Sequence, residues 1–402
     1  MLRLVQGDVG SGKTLVAAAA MVATARAGGQ AALMAPTELL AEQHLLNFRQ
    51  WLAPLGLEVT LLSGRQRKRE REAALAGLQD GHIAVAVGTH ALFQDDVTFR
   101  ALGLIVVDEQ HRFGVQQRLS LRDKGPQGQA THQLIMSATP IPRTLAQSLY
   151  ADLDVSVIDE LPPGRTPVKT VAMSNARRDD VLARIGEVCT AGRQAYWVCT
   201  LVEVSEQLSA QAAEETAALL RDELPHLRVG LVHGRMKADD KDAQMRAFKE
   251  GRTQLLVATT VIEVGVDVPN ASIMIIENPE RLGLSQLHQL RGRVGRGSVE
   301  SQCVLLYQPP LSDSAQTRIA ALRNSNDGFV IAQADLDLRG PGELLGRRQT
   351  GLVGMKIADP VRDADRIPAL QRLADELLAR QPALAQALIR RWVGDFERYG
   401  AV

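Results

Sequence analysis

The chain has 402 residues, enough for two domains and a remainder, because single cores rarely grow beyond about 250–300 residues. Its 46 basic residues balance 46 acidic ones, so any grip on a phosphate backbone must come from local placement of Arg, Lys and helix N-termini. Cys189, Cys199 and Cys303 lack CxxC spacing and read as small core residues of a reducing compartment, not as a disulfide framework or a zinc site.

Short β-branched runs alternate with helical patterns to about residue 307, the signature of parallel α/β architecture. The first run, Leu2 to Gln6, opens into Gly7-Asp8-Val9-Gly10-Ser11-Gly12-Lys13-Thr14, which fits the phosphate-loop pattern G-x-x-x-x-G-K-[ST]. Gly7, Gly10 and Gly12 let successive amide N–H groups turn toward phosphate oxygens. Lys13 then neutralises the β- and γ-phosphates, and the Thr14 hydroxyl ligates Mg²⁺. A glycine-rich turn capping a helix is the alternative. Leu15 to Ala25 is too short and too rich in alanine to span a bilayer, and reads as a helix buried against a sheet. No signal peptide opens the chain, which points to the cytoplasm and away from membranes.

Strands follow near Ala31–Ala35, Glu58–Leu62, Ile83–Gly88, Leu104–Asp108 and Gln133–Ser137, each ending where a motif begins. Ligands of open α/β sheets bind at that carboxyl edge. Leu104 to Val107 is a continuous apolar strand that delivers Asp108 and Glu109 there. Asp108 is suited to hold the Mg²⁺ bridging β- and γ-phosphates, and Glu109 to orient and deprotonate the attacking water; capping of the next helix is the alternative. Ser137-Ala138-Thr139 is either a plain turn or a reporter of γ-phosphate status, and His111 either a structural histidine or a link from nucleotide to Ser137.

Asp159 to Pro167 is turn-rich and is the expected domain linker. A second series of strands is predicted near Val168–Ala172, Gln194–Cys199, Arg228–Val232, Gln254–Ala258, Ser272–Ile276 and Cys303–Tyr307. Two such series suggest a duplicated core, although no sequence repeat between the halves is evident. In Gln289-Leu290-Arg291-Gly292-Arg293-Val294-Gly295-Arg296, a helical segment would place Arg293 and Arg296 on one face, where guanidinium forks meet phosphates. A solvated basic face is the other reading. From about Pro309 the strands stop and helical patterns take over. The expected units are 1–160, 161–309 and 310–402.

Together the motifs resemble superfamily 2 helicases. Gly7 to Thr14 looks like motif I, Ala35 to Leu39 like motif Ia, Gly88-Thr89-His90 like motif Ib, Asp108 to His111 like motif II and Ser137 to Thr139 like motif III. Leu256 to Pro269 looks like motif V and Gln289 to Arg296 like motif VI. The stretch Asp335 to Gly351 resembles the translocation motif shared by RecG and the transcription-repair coupling factor. Arg112-Phe113-Gly114-Val115 and Asn278 to Leu284 lean to RecG.

The resemblance implies two tandem RecA-like parallel-sheet domains followed by a mostly helical domain. It implies an ATP-driven double-stranded DNA translocase that remodels branched DNA, reversing stalled forks and migrating Holliday junctions in repair and recombination. ATP and Mg²⁺ would be served by residues 7–14, Asp108 and Glu109, with Gln289, Arg293, Arg296 and Asp267 completing the site. Thr37, Thr89 and His90 would lie along the DNA path, Thr259, Gly265 and Asp267 would couple nucleotide to DNA, and Arg339 and Gln349 would belong to a hairpin that pushes on the duplex. A monomer is expected, with single-stranded DNA-binding protein a candidate partner. Aromatic residues are 3% of the chain, too few for an extended single-strand stacking platform.

The family's wedge region before motif I has no counterpart here, so a motor fragment with weakened DNA-stimulated ATPase and poor fork unwinding is expected. Competing readings are a coupling-factor translocase and a fragment that binds DNA or nucleotide without turnover.

Overall fold

The computed structural model describes residues 1–64, 66–109, 131–137, 153–160, 166–200, 206–263, 268–295, 299–339, 363 and 366–392. Among these, strands β1 (Leu2–Gly7), β2 (Gln30–Met34), β3 (Val59–Leu62), β4 (Val85–Gly88), β5 (Leu102–Asp108), β6 (His132–Ser137) and β7 (Asp154–Ile158) form one sheet. Its order is β3-β4-β2-β5-β6-β1-β7. Strands β8 (Lys169–Ser174), β9 (Gln194–Val198), β10 (Val229–Val232), β11 (Leu255–Ala258), β12 (Ala271–Glu277) and β13 (Gln302–Tyr307) form the other, in the order β10-β11-β9-β12-β13-β8. Every pairing is parallel. Counting the second series from β8 as one gives 3-4-2-5-6-1, so the second half repeats the first strand for strand.

That correspondence reveals a repeat in sequence after all. Ala27-Gly28-Gly29-Gln30-Ala31 matches Ala191-Gly192-Arg193-Gln194-Ala195. Gly28 (φ 82°) and Gly192 (φ 88°) both turn the chain into the second strand of their sheet in a conformation that favours glycine. The buried amide of Gln30 then donates to Leu78 O (2.9 Å) and Ile83 O (2.8 Å), and that of Gln194 to Phe248 O (2.5 Å) and Thr253 O (2.8 Å). In each half one glutamine thus ties the end of a helix to the entrance of the next strand. Glu109 (φ 54°) and Asn278 (φ 46°), the two described non-glycine residues with positive φ, also match, each directly following its sheet's fifth strand.

The unpredicted strand is β7. It lies on the open edge beside β1, half exposed, with Arg3 reaching Ser156 Oγ (2.7 Å) and Asp154 Oδ2 (3.0 Å). Its alternating Asp-Val-Ser-Val-Ile pattern abuts a turn-rich stretch and lacks the continuous apolar run of a central strand. The helix Lys13–Arg26 also differs from expectation. Ala17, Ala18 and Met21 face the sheet, while Leu15 and Val16 are exposed, because small side chains let the helix approach the strands along one narrow stripe.

The tail starts by joining the second core. Ile319 and Leu322 of the helix Asp313–Asn324, and Ile331 of the helix Gly328–Arg339, share a cluster with Tyr196, Phe248 and Met274. Buried Arg291 fixes this docking by donating to Leu322 O and Ser325 O, both at 2.7 Å. No described helix is long and apolar enough to cross a membrane. The three cysteines are free and buried; burial pushes the Cys199 and Cys303 thiols up to about 12 and Cys189 up to about 11.

Candidate nucleotide site at the seam between the two sheets

β1 ends in a glycine-rich turn whose backbone no other residue adopts freely. Gly10 (φ 84°) and Gly12 (φ 97°) are left-handed, and a Cβ on Gly7 would lie 2.4 Å from Ser11 Oγ and 3.2 Å from Ile158. Gly12 caps the helix Lys13–Arg26 without a side chain, so the first-turn N–H groups have no side-chain acceptor there. Lys13 Nζ folds over the turn onto Gly7 O (2.7 Å) and Asp8 O (2.8 Å), and Asp8 Oδ1 accepts the Val9 N–H (2.7 Å). Uncapped helix donors with an adjacent ammonium suit a polyphosphate.

Asp108 closes β5 and Glu109 follows it, its N–H donating to Met136 O of β6 (3.1 Å). His44 Nε2 lies 2.8 Å from Asp108 Oδ2. Among the described residues no group of three or more His, Cys, Asp or Glu could form a metal cage. Thr14 and Asp108 offer hard oxygens, which fits a Mg²⁺ that keeps waters and leans on phosphates.

The second half meets this loop directly. His288 Nε2, on the helix Leu284–Arg291, is 3.8 Å from Asp8 Oδ1, and a Cβ on Gly292 would sit 3.3 Å from Val9 Cγ2. Arg246 Nη2 bridges to Glu42 Oε2 (3.2 Å), and Leu39 of the first half packs in the second core. Gln289 and Arg293 are buried beside the seam. The helix ends at Arg291, capped by Gly292, so Arg293 lies beyond it, and Gly295 has a positive φ (77°).

Of the residues expected on the DNA path, Thr37 is exposed and caps the helix Glu38–Leu52, accepting from Leu40 N (3.3 Å). Thr89 and Thr259 take matching places after β4 and β11 and are both buried, while His90 is exposed. Ser137 is buried at the end of β6, and Arg339 is the last residue of the helix Gly328–Arg339. His111, Thr139, Gly265, Asp267, Arg296 and Gln349 lie outside the described residues. Sequence reading missed His44 and His288. Each is a polar ring in the apolar stripe of its helix, beside Ala41, Leu45 and Phe48 or Leu284 and Leu287, and that misfit was the available signal.

Three family models match in order: DEAD/DEAH box helicase over 3–148, helicase conserved C-terminal domain over 180–298, and ATP-dependent DNA helicase RecG, domain 3, C-terminal, over 325–389. The chain is 64% identical over 401 residues to the ATP-dependent DNA helicase RecG of Escherichia coli (strain K12), covering 99% of this chain and 58% of the relative. To that of Bacillus subtilis (strain 168) it is 47% identical over 380 residues, 94% of this chain and 55% of the relative. The chain thus spans less than two thirds of the length of these curated relatives. A solved structure of RecG bound to a three-way DNA junction matches with TM-score 0.75 and 44% identity over 91% of this chain and 47% of that one. Mycobacterium smegmatis helicase Lhr, bound to single-stranded DNA and AMP-PNP, matches with TM-score 0.58 at 20% identity over 83% of this chain and 46% of that one, which shows the fold alone. With its phosphate loop facing a second parallel sheet of the same strand order and these matches across nearly its whole length, the chain belongs to the RecG family of ATP-dependent DNA helicases.

Proposed function

We propose that this chain is an ATP-hydrolysing motor that translocates on duplex DNA and remodels branched DNA. The observation that carries the reading is the seam itself: Gly292 lies against Val9 of the phosphate loop, and His288 faces Asp8. A triphosphate on this loop would sit between two lobes, so its cleavage changes how they meet.

Lys13 leaves its two loop carbonyls for the phosphates. Thr14 and Asp108 would hold Mg²⁺, which would neutralise charge developing on the phosphates. Glu109 orients the attacking water, and Gln289 and Arg293, with Arg296, reach the site from the second lobe. Asp267 is assigned to the nucleotide as well. DNA lies across the carboxyl edges of both sheets, with exposed Thr37 and His90 toward the backbone and buried Thr89, Ser137 and Thr259 bracing the loops that carry it. His111, Thr139, Gly265, Arg339 and Gln349 are assigned to coupling and translocation on the motif resemblance. Both lobes of the site belong to one chain, which suits a monomer, and work on the chromosome suits the cytoplasm.

ATP hydrolysis with and without a three-way junction tests this for the wild type, Lys13→Ala and Glu109→Gln. The wild type should be stimulated by the junction, and both variants should fall about 100-fold or more. Equal background rates in all three would mean a chain that binds without turnover.

A further inference from the structure

The helix Glu38–Leu52 turns a stripe of Leu39, Ala41, His44, Leu45, Phe48 and Leu52 to the interior. In this stripe His44 is 5% exposed, and its ring stacks on Phe48 with centroids 5.8 Å apart and planes 16° apart. One ring nitrogen, Nε2, meets Asp108 Oδ2 at 2.8 Å; the other, Nδ1, is buried with no hydrogen-bond partner among the described residues. A carboxylate only accepts, so Nε2 carries the hydrogen of this contact. A leucine would fill the stripe without stranding a nitrogen. The imidazole's one polar contact is therefore the feature that distinguishes it from its neighbours, and that contact falls on the carboxylate closing β5.

We propose that His44 is a positioning residue for the metal of the bound nucleotide: it holds Asp108 Oδ2, so that the carboxylate is kept in one orientation. The inference rests on the reading of Asp108 as a metal-holding residue. Hydrogen bonds to the far side of a ligating group fix its rotamer and commonly alter metal affinity about 10–100-fold. Phe48 fixes the ring plane, and the helix that carries both begins at Thr37, so the metal's carboxylate is braced by the element that follows the second strand. His44 touches neither phosphate nor metal in this role.

The test uses the 402-residue chain with Mn²⁺ as the spectroscopic probe. Electron paramagnetic resonance titration of Mn²⁺ in the presence of ADP reads metal affinity, and a fluorescent ADP analogue in EDTA reads nucleotide affinity without metal. His44→Phe keeps an aromatic ring for Phe48 and loses the donor, His44→Leu loses the donor in a smaller side chain, and His44→Gln keeps an N–H at the reach of Nε2. Thermal melts identify the variants that fold. In His44→Phe or His44→Leu, Mn²⁺ affinity should fall about tenfold with metal-free nucleotide affinity unchanged, and His44→Gln should recover most of it. Wild-type Mn²⁺ affinity in the donor-less variants, or a His44→Gln as weak as they are, overturns the proposal. Asp108→Asn separates the two layers. If it weakens Mn²⁺ binding while His44→Phe does not, only the positioning role fails; if it leaves Mn²⁺ affinity intact, the reading of Asp108 fails and the positioning role with it.

Discussion

Replacing Gln30 by Met keeps the volume of a buried side chain and removes its three hydrogen bonds. Leu78 O retains the N–H of Arg100 (3.1 Å), but Ile83 O loses its amide donor (2.8 Å) and the Ala101 N–H loses Gln30 Oε1 (3.0 Å). Two buried groups are orphaned; at roughly 1.5 kcal/mol each the loss is about 3 kcal/mol. The matched change Gln194→Met costs less. Phe248 O keeps the Gly251 N–H (3.0 Å) and Asn270 Nδ2 keeps Gly192 O (2.9 Å), which leaves Thr253 O alone. That loss is about 1.5 kcal/mol. Hydrogen exchange read by mass spectrometry resolves the two sheets separately. Amides of β2 and β5 should exchange about 100-fold faster in Gln30→Met, and those of β9 and β12 about tenfold faster in Gln194→Met. Nucleotide affinity should not change, because both glutamines sit at the strand entrances, opposite the phosphate loop. Equal acceleration in the two variants, or less than about threefold in Gln30→Met, would refute the accounting of orphaned groups.

Gly12→Ala meets no atom within 4 Å but must hold φ 97°, so about 1–2 kcal/mol of backbone strain falls on the loop and not on packing. Calorimetric titration with ADP should show affinity at least about tenfold weaker while the thermal midpoint moves by only a few degrees. The buried thiols give a pH dependence. Cys199 and Cys303 are raised from 9.0 to about 12 and Cys189 to about 11 by desolvation, so the unfolded chain releases these protons first as pH rises. Their contribution to stability is complete below pH 9 and is lost as pH climbs through the folded values, a decline that urea titrations between pH 8 and 10.5 should show and that Cys303→Ala should lessen in slope. The same burial should leave all three thiols unreactive toward a disulfide reagent until the chain unfolds.

The glycine-rich turn was legible because its pattern is local: Gly7, Gly10, Gly12, Lys13 and Thr14 fall within eight residues, and their backbone demands follow from residue type. Asp108 was legible because Leu104-Ile105-Val106-Val107 is short, apolar throughout and rich in β-branched residues, as a strand buried on both faces is, which fixes where its end points. β7 was not, since an edge strand needs only one apolar face and five alternating residues carry little signal. The end of the helix at Arg291 was hidden for a different reason. The segment that carries Arg293 has helical spacing, and only the cap at Gly292 ends the helix before it. His44 and Asp108 are 64 residues apart, and no local pattern records a contact made by β5 lying next to β2. The repeat of Gln30 in Gln194 needed the strand order before the two short strings could be laid on one another.

Two copies of one strand order yield one cradle, and the matched positions show why. β8 runs into Ser174-Asn175-Ala176-Arg177, with no glycine where β1 meets three, and its helix begins at Arg178 where the first begins at Lys13. Arg178 pairs with Glu277, which closes β12 as Asp108 closes β5, and its guanidinium stands 4.7 Å over the Trp197 ring. In the first sheet the matching cation, Lys13, donates to the backbone carbonyls of Gly7 and Asp8, and the matching carboxylate leans on an imidazole. In the second sheet the two side chains neutralise one another with only 24% and 14% of their surface exposed, and parting them would strand two half-buried charges. The second crevice is thus closed by its own ion pair, and what that half lays across the seam, against Val9 and Asp8, is Gly292 and His288. Under the proposed function, this asymmetry lets one site read the distance between the lobes.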